Sequence, residues 1–145
     1  MIATSETSET VAPDEWRVLR PTAACANKGK AIPGNDDNFT IRRSPDQEEL
    51  DRLMHVLAKS DQTSYVTQAA VWIVTDNADY SELGVLAFGP LGTLRAINEE
   101  TAVQAMIMCE QAGIDITRKA IWRDRERILQ GLGESGLRHW LQAKQ

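Results

Sequence analysis

The residue whose type and setting most invite chemistry is Gln68. It lies within residues 67–77, TQAAVWIVTDN, as the one amide side chain in the first turn of an otherwise apolar element. Leaving such a group without partners costs about 1 to 3 kcal/mol, so Gln68 must be hydrogen-bonded, exposed at the helix end, or chemically consumed. On a helix, Gln68, Trp72 and Thr75 share a face at i, i+4 and i+7, where the indole can shield the amide from water. The chain also has two cysteines, Cys25 and Cys109. A free cysteine is ordinarily a small apolar filler, and Cys109 falls on an inward helical stripe with Ala102, Ala105 and Met106. Cys25 begins the stretch CANKGKAIP at 25–33. A core thiol and a Cys25–Cys109 disulfide are both open to it.

Other titratable residues point to less. Two cysteines without paired spacing, helped only by His55 and His139, do not make a zinc site, and both histidines are read as boundary residues. No metal and no cofactor is expected. Asp76, Asn77 and Asp79 lack the central glycine and twelfth-position glutamate of an EF-hand loop, so a helix cap and turn explain them better. Arg118, Lys119, Arg123, Arg125 and Arg127 make one helix locally basic, approached through AGID in the manner of a helix-turn-helix. Asp124 and Glu126 interleave with them, as on a solvated face with charge pairs.

The elements that must position these residues follow from periodicity. Residues 1–13 are rich in Ser, Thr and Glu without apolar period, and are expected to be a disordered leader or linker. The fold is expected to start near Trp16 and to run as one globular domain over 14–145. Short strands are expected around Trp16 and Val18, at 22–25, and at 38–42 (NFTIR), with a turn-rich loop at 28–37. Ser44 and Pro45 then open a helix whose Leu50, Leu53, Met54, Leu57 and Ala58 share one face. Residues 64–75, SYVTQAAVWIVT, form the central element, apolar all round, with a strand still possible from their β-branched content. Asn98 caps a third helix that ends at a left-handed Gly113. Asp115 caps a fourth, ITRKAIWRDRERIL, turning Ile121, Ile128 and Leu129 inward, and a last short helix holds Leu137, Trp140 and Leu141. The expectation is a mainly α fold with a small β portion (α+β), a helical bundle packed on short N-terminal strands.

The 145 residues suit one core and are too few for two well-buried ones. Apolar residues at 42% and charged residues at 26% exclude a wholly disordered, collagenous or coiled-coil chain. A net charge of −5 argues against a dedicated nucleic-acid binder or an adhesive for anionic membranes, both of which need a basic surface. No apolar run is long enough to span a bilayer, and the opening MIATSETSETVAPDE does not read as a secretory signal.

Two segments resemble the thioester domains of Gram-positive bacterial surface adhesins. That family carries a cysteine near its start, followed by an Asn-containing stretch and a Pro-bearing loop, matched here by Cys25-Ala26-Asn27-Lys28-Gly29-Lys30-Ala31-Ile32-Pro33. It also carries a Thr-Gln-x-Ala-aliphatic-Trp signature, which Thr67 to Trp72 match at each specified position, with Thr75-Asp76-Asn77 as the usual continuation. The family often places an aromatic residue where Ala24 stands, and more β-structure between the two segments, so this chain would be a minimal or divergent member.

The resemblance implies an internal thioester between the Cys25 sulfur and the Gln68 side-chain carbonyl. A thiolate attacks the amide, ammonia leaves, and the acyl group then yields to an amine. Backbone N–H groups in the first turn of the Gln68 helix are expected as oxyanion donors and as the dipole favouring the thiolate. Trp72 and Tyr65 are expected to exclude water, with Thr67 and Asn27 in support. The implied function is covalent capture of a lysine amine on a host or neighbouring surface protein, once per molecule and so not turnover catalysis. It would act at the cell surface or after secretion, as a monomeric domain of a longer protein, with no nucleic acid and no membrane insertion. The competing reading is a non-covalent helical interaction module in which Gln68 is a satisfied amide and Cys25 a core thiol.

Overall fold

The computed structural model describes residues 2–4, 10–18, 22–30, 34, 36–38, 47–84, 87–89 and 92–144. In chain order the elements are β1 (Ile2–Ala3), β2 (Ala23–Ala24), α1 (Glu48–Ala58), α2 (Ser64–Thr75), β3 (Ala87–Gly89), β4 (Gly92–Leu94), α3 (Glu99–Gln111), α4 (Arg125–Gly131) and α5 (Gly136–Gln142). The fold is mainly α with a small β portion. β1 pairs antiparallel with β2, Ile2 opposite Ala24, and β3 pairs antiparallel with β4, Phe88 opposite Thr93.

α2 is the centre. Val66, Ala69, Ala70, Val71, Trp72 and Ile73 are all buried along it, which settles the helix-or-strand ambiguity of residues 64–75 in favour of the helix. Thr63 accepts the Val66 N–H through its side chain, which satisfies one orphan amide of the first turn, and its carbonyl takes the Thr67 N–H as the first bond of the helical ladder. α3 lies against α2, and both helices bury small side chains, Ala69 and Ala70 on α2 and Ala102 and Ala105 on α3, which allow close approach. α1 adds the buried faces of Leu50, Leu53 and Leu57. The Ser44 and Pro45 cap expected for α1, like most of the strand expected at 38–42, lies outside the described residues.

α3 is capped as its sequence requires. The Asn98 side chain accepts the Thr101 N–H, and at the far end Gly113 at φ +70 lets its own N–H return to Glu110 and that of Ile114 to Cys109. Those two bonds make a Schellman motif.

Two expectations are corrected. Residues 1–13 are not wholly a free leader: Ile2 and Ala3 pair with β2, the Thr4 N–H reaches the Thr22 carbonyl at 2.7 Å, and Thr4 is buried. The main-chain groups of β2 supply the partner that side-chain periodicity cannot reveal. Trp16, by contrast, is 81% exposed and Val18 62%, so the core does not begin there.

The fourth helix is also not continuous. Asp115 caps only a 3-10 turn, Ile116–Arg118, Lys119 is extended, a second 3-10 turn covers Ala120–Asp124, and the α-helix begins at Arg125. Tertiary partners replace the helical ladder. The Ala120 N–H goes to Asn77 Oδ1 at 2.9 Å, Asp124 Oδ2 receives the Tyr80 N–H at 2.9 Å, and Lys119 Nζ meets Glu49 at 2.6 Å. Ile121, Ile128 and Leu129 face inward as their spacing requires.

Two buried groups give the fold an alkaline limit. Burial pushes the Cys109 thiol up to about 12 from an ordinary 9.0. Burial first, and then the neighbouring Glu99 side chain, pushes Tyr80 up to about 12 from 10.0, although Arg95 and Arg127 lie over its ring at 3.8 and 5.6 Å. Raised values mean that the unfolded chain releases these protons first, so stability present below pH 9 is lost as pH climbs toward 12. Thermal melts are expected to fall across that window. Cys109→Ala should flatten the lower part of the decline and Tyr80→Phe the upper part.

Candidate functional site

β2 delivers Cys25 to α2. Ala24, the residue before it, is 3% exposed and belongs to the core, while Cys25 itself is half-buried at the strand end. Gln68 stands one turn inside α2. Its side chain meets the main chain of Cys25 at both ends: the Cys25 N–H donates to Gln68 Oε1 at 2.9 Å, and Gln68 Nε2 donates to the Cys25 carbonyl at 2.8 Å. A carboxamide thus pairs with both main-chain groups of one residue, as a neighbouring strand would. Each end of the half-buried amide has a partner, and the demand placed on it by its apolar surroundings is met.

The Cys25 Sγ donates to the Asn27 carbonyl at 3.2 Å. That carbonyl also closes the turn over residues 27–30 by accepting the Lys30 N–H at 3.4 Å. Gly29 holds the third position of this turn at φ +77, where a side chain would be strained. Past the turn's start, the Lys28 N–H reaches Asp76 Oδ1 at 3.2 Å, and Lys28 Nζ pairs with Glu82 at 3.2 Å. Asp76 is steadied by the Thr75 hydroxyl at 2.6 Å, and Glu82 receives the Asp79 N–H at 3.0 Å. Residues 25–28 are therefore fastened along α2 at two places, Gln68 and Asp76.

Asp76, Asn77 and Asp79 act as caps and turns. Asn77 at φ +49 ends α2 in the left-handed region, which asparagine tolerates. Asp79 Oδ1 accepts from the Ser81 hydroxyl and the Glu82 N–H, the first of which does most to hold its carboxyl below the usual range.

The other expected site residues divide. Trp72 is 8% exposed, on the Gln68 face one turn on. Tyr65 is 49% exposed at the start of α2, a rim position. Thr67 is half-buried in the first turn, its N–H returned to Thr63. Asn27 contributes its backbone carbonyl. At the Gln68 carbonyl the donor is the N–H of Cys25 itself. The first turn of α2 has already committed its Val66 and Thr67 amides to Thr63. Lys28 and Glu82 carry no motif signal, and only a folded chain brings them to the same corner.

Cys109 is apart from this site. It is fully buried, its Sγ toward the Ala70 carbonyl at 3.9 Å, and both thiols are free. His55 and His139 are exposed. Among the described residues no three His, Cys, Asp or Glu side chains gather as metal ligands, and no helix is long and apolar enough to cross a membrane. Comparison with protein-family models, with curated proteins and with solved structures gives no match to this chain.

Proposed function

We propose that this chain is a covalent binding module in which Cys25 and Gln68 condense to an internal thioester that captures an amine of a partner molecule. One observation carries the reading: residues 43 apart in sequence meet through two hydrogen bonds, from Cys25 N–H to Gln68 Oε1 and from Gln68 Nε2 to the Cys25 carbonyl. These are the two residue types from which a thioester is made.

The chemistry balances without a cofactor. Sγ bonds to the Gln68 side-chain carbon, the bond from that carbon to Nε2 breaks, and the thiol proton leaves with the nitrogen as ammonia. In capture, an amine nitrogen bonds to the same carbon, the carbon–sulfur bond breaks, and a proton returns to sulfur. The negative charge of each tetrahedral intermediate develops on Oε1, which already faces the Cys25 N–H at 2.9 Å. A donor aimed at a developing oxyanion is a strong contributor to acyl transfer. Trp72, buried at i+4 from Gln68, would keep water from one side, and the exposed Tyr65, at i−3, would flank the approach. A lysine amine on a host or neighbouring surface protein is the partner this chemistry suits. A surface or secreted location and a place within a longer protein follow from the resemblance to adhesin thioester domains. Each molecule reacts once.

The second reading, a non-covalent helical interaction module, is favoured by the same hydrogen bonds, since they satisfy Gln68 as an ordinary amide. Intact mass separates the two. The folded chain is expected to be lighter than its sequence by one ammonia, methylamine should add its own mass to that form, and Cys25→Ser should keep the full mass. A wild-type chain at full mass, with Cys25 open to alkylation, would establish the non-covalent module instead.

A further inference from the structure

The indole nitrogen of Trp72 is buried and has no hydrogen-bond partner among the described residues. Leaving a buried donor unpaired costs about 1 to 3 kcal/mol, and such an atom calls for an explanation. Its position supplies one. Trp72 is more than nine-tenths buried and lies at i+4 from Gln68, on the same helical face. Helical side chains lean back over the turn on their N-terminal side, here the turn that bears Gln68. Residues 25–28 are fastened to Gln68, one turn before Trp72, and to Asp76, one turn after it.

Resting on the thioester reading above, we infer that the Trp72 indole N–H is the second oxyanion donor of the site, acting with the Cys25 N–H on Gln68 Oε1. In the resting amide Oε1 is neutral and has the Cys25 N–H. When sulfur adds to the side-chain carbon, the carbonyl electron pair moves onto Oε1, which becomes an anion able to hold a second donor. When the carbon–nitrogen bond breaks, that pair returns to re-form the carbonyl. Capture by an amine passes through the same charge in the opposite sense, with sulfur leaving. A donor idle in the ground state and engaged in the transition state lowers the barrier by its full strength, because nothing is given up to use it.

Two variants separate donor from lid. Trp72→Phe removes the N–H and some ring volume. Replacement of Trp72 by benzothienylalanine puts sulfur in place of the N–H and keeps the shape. The measurements are the rate at which the ammonia-deficient mass appears on refolding, the rate at which methylamine consumes it, and circular dichroism of each variant. Loss of one oxyanion donor is expected to slow both rates by about 10²- to 10³-fold. The shape-preserving variant should be as slow as Trp72→Phe while retaining wild-type ellipticity. If the benzothienyl variant closes and opens at the wild-type rate, Trp72 is a water-excluding ring only and the inference is overturned, with the thioester reading intact. Faster hydrolysis in Trp72→Phe alone would say the same. A wild-type chain at full mass overturns both.

Discussion

Gln68→Glu is expected to end thioester formation and to loosen the site at neutral pH. A carboxylate has no amine to expel, so the variant must run at the mass of its sequence. Its effect on stability follows from the hydrogen bonds. One oxygen can still accept the Cys25 N–H, but the other now faces the Cys25 carbonyl, where Nε2 donates at 2.8 Å in the wild type. Two acceptors oppose each other, one of them charged, at a cost of about 1 to 3 kcal/mol. A protonated carboxyl can both accept and donate, as the amide does. The fold therefore favours the protonated form of the new group, whose folded pKa lies above its unfolded value of about 4.3. A raised pKa means stability present below the unfolded value and lost as pH rises through the folded one. Thermal melts of the variant should approach the wild type in acid and fall behind it at neutral pH. Equal melts at neutral pH would show that the Gln68 pairing carries no stability. If the proposed thioester forms, the same variant is its product of hydrolysis, and its melt then also reports how the spent form behaves.

How much of this site could be read from sequence is uneven. Gln68 declares itself as an amide among apolar neighbours, and its energetic demand narrows its fate to three outcomes. Cys25 does not, because nothing in a lone half-buried thiol distinguishes filler from nucleophile, and its pairing with Gln68 came from resemblance to a family pattern. The partner of the amide is moreover the main chain of Cys25, to which side-chain identity is blind. Spacing puts Trp72 on the Gln68 face, but its unpaired N–H is a fact of tertiary structure. The clasp of Lys28 on Asp76 and Glu82 unites residues 48 and 54 positions apart, and no local rule connects them.

For the fold, the divide lies between helices with complete local signals and segments that take their partners from elsewhere. α3 has its Asn98 cap, its apolar stripe and its Gly113 stop, and all three act as the sequence says. Each arm of the β3–β4 hairpin has three residues, too few for alternation to register as a strand signal. Residues 116–129 have the periodicity of a helix throughout. They break at Lys119 because Asn77, Tyr80 and Glu49 offer hydrogen-bonding and ionic partners that compete with the helical ladder.

Ile73→Ala is expected to give the largest loss of stability of any single change considered, without touching the chemistry of the site directly. Ile73 is fully buried on α2, within the cluster that includes Leu53, Val103, Met106 and Ile128. Truncation removes buried methyl and methylene groups and leaves a cavity that packed neighbours fill only in part, for about 2 to 5 kcal/mol. Domains of this class hold about 5 to 15 kcal/mol in total, so a large share of the margin goes. The melting temperature should drop by roughly 4 to 20 °C, taking about 2 to 4 °C per kcal/mol for a chain of this size. Gln68 and Trp72 ride on the same helix, which makes the variant a test of whether the site depends on global stability or on local pairing. Where the variant is folded, its ammonia-deficient mass should appear at the wild-type rate, since the Cys25 hydrogen bonds to Gln68 are made by a strand end and a side chain one turn into α2, and not by Ile73. Denaturant melts give the first quantity and intact mass on refolding gives the second. A loss below about 1 kcal/mol would show that the α2 core relaxes around the deletion far more readily than close packing predicts.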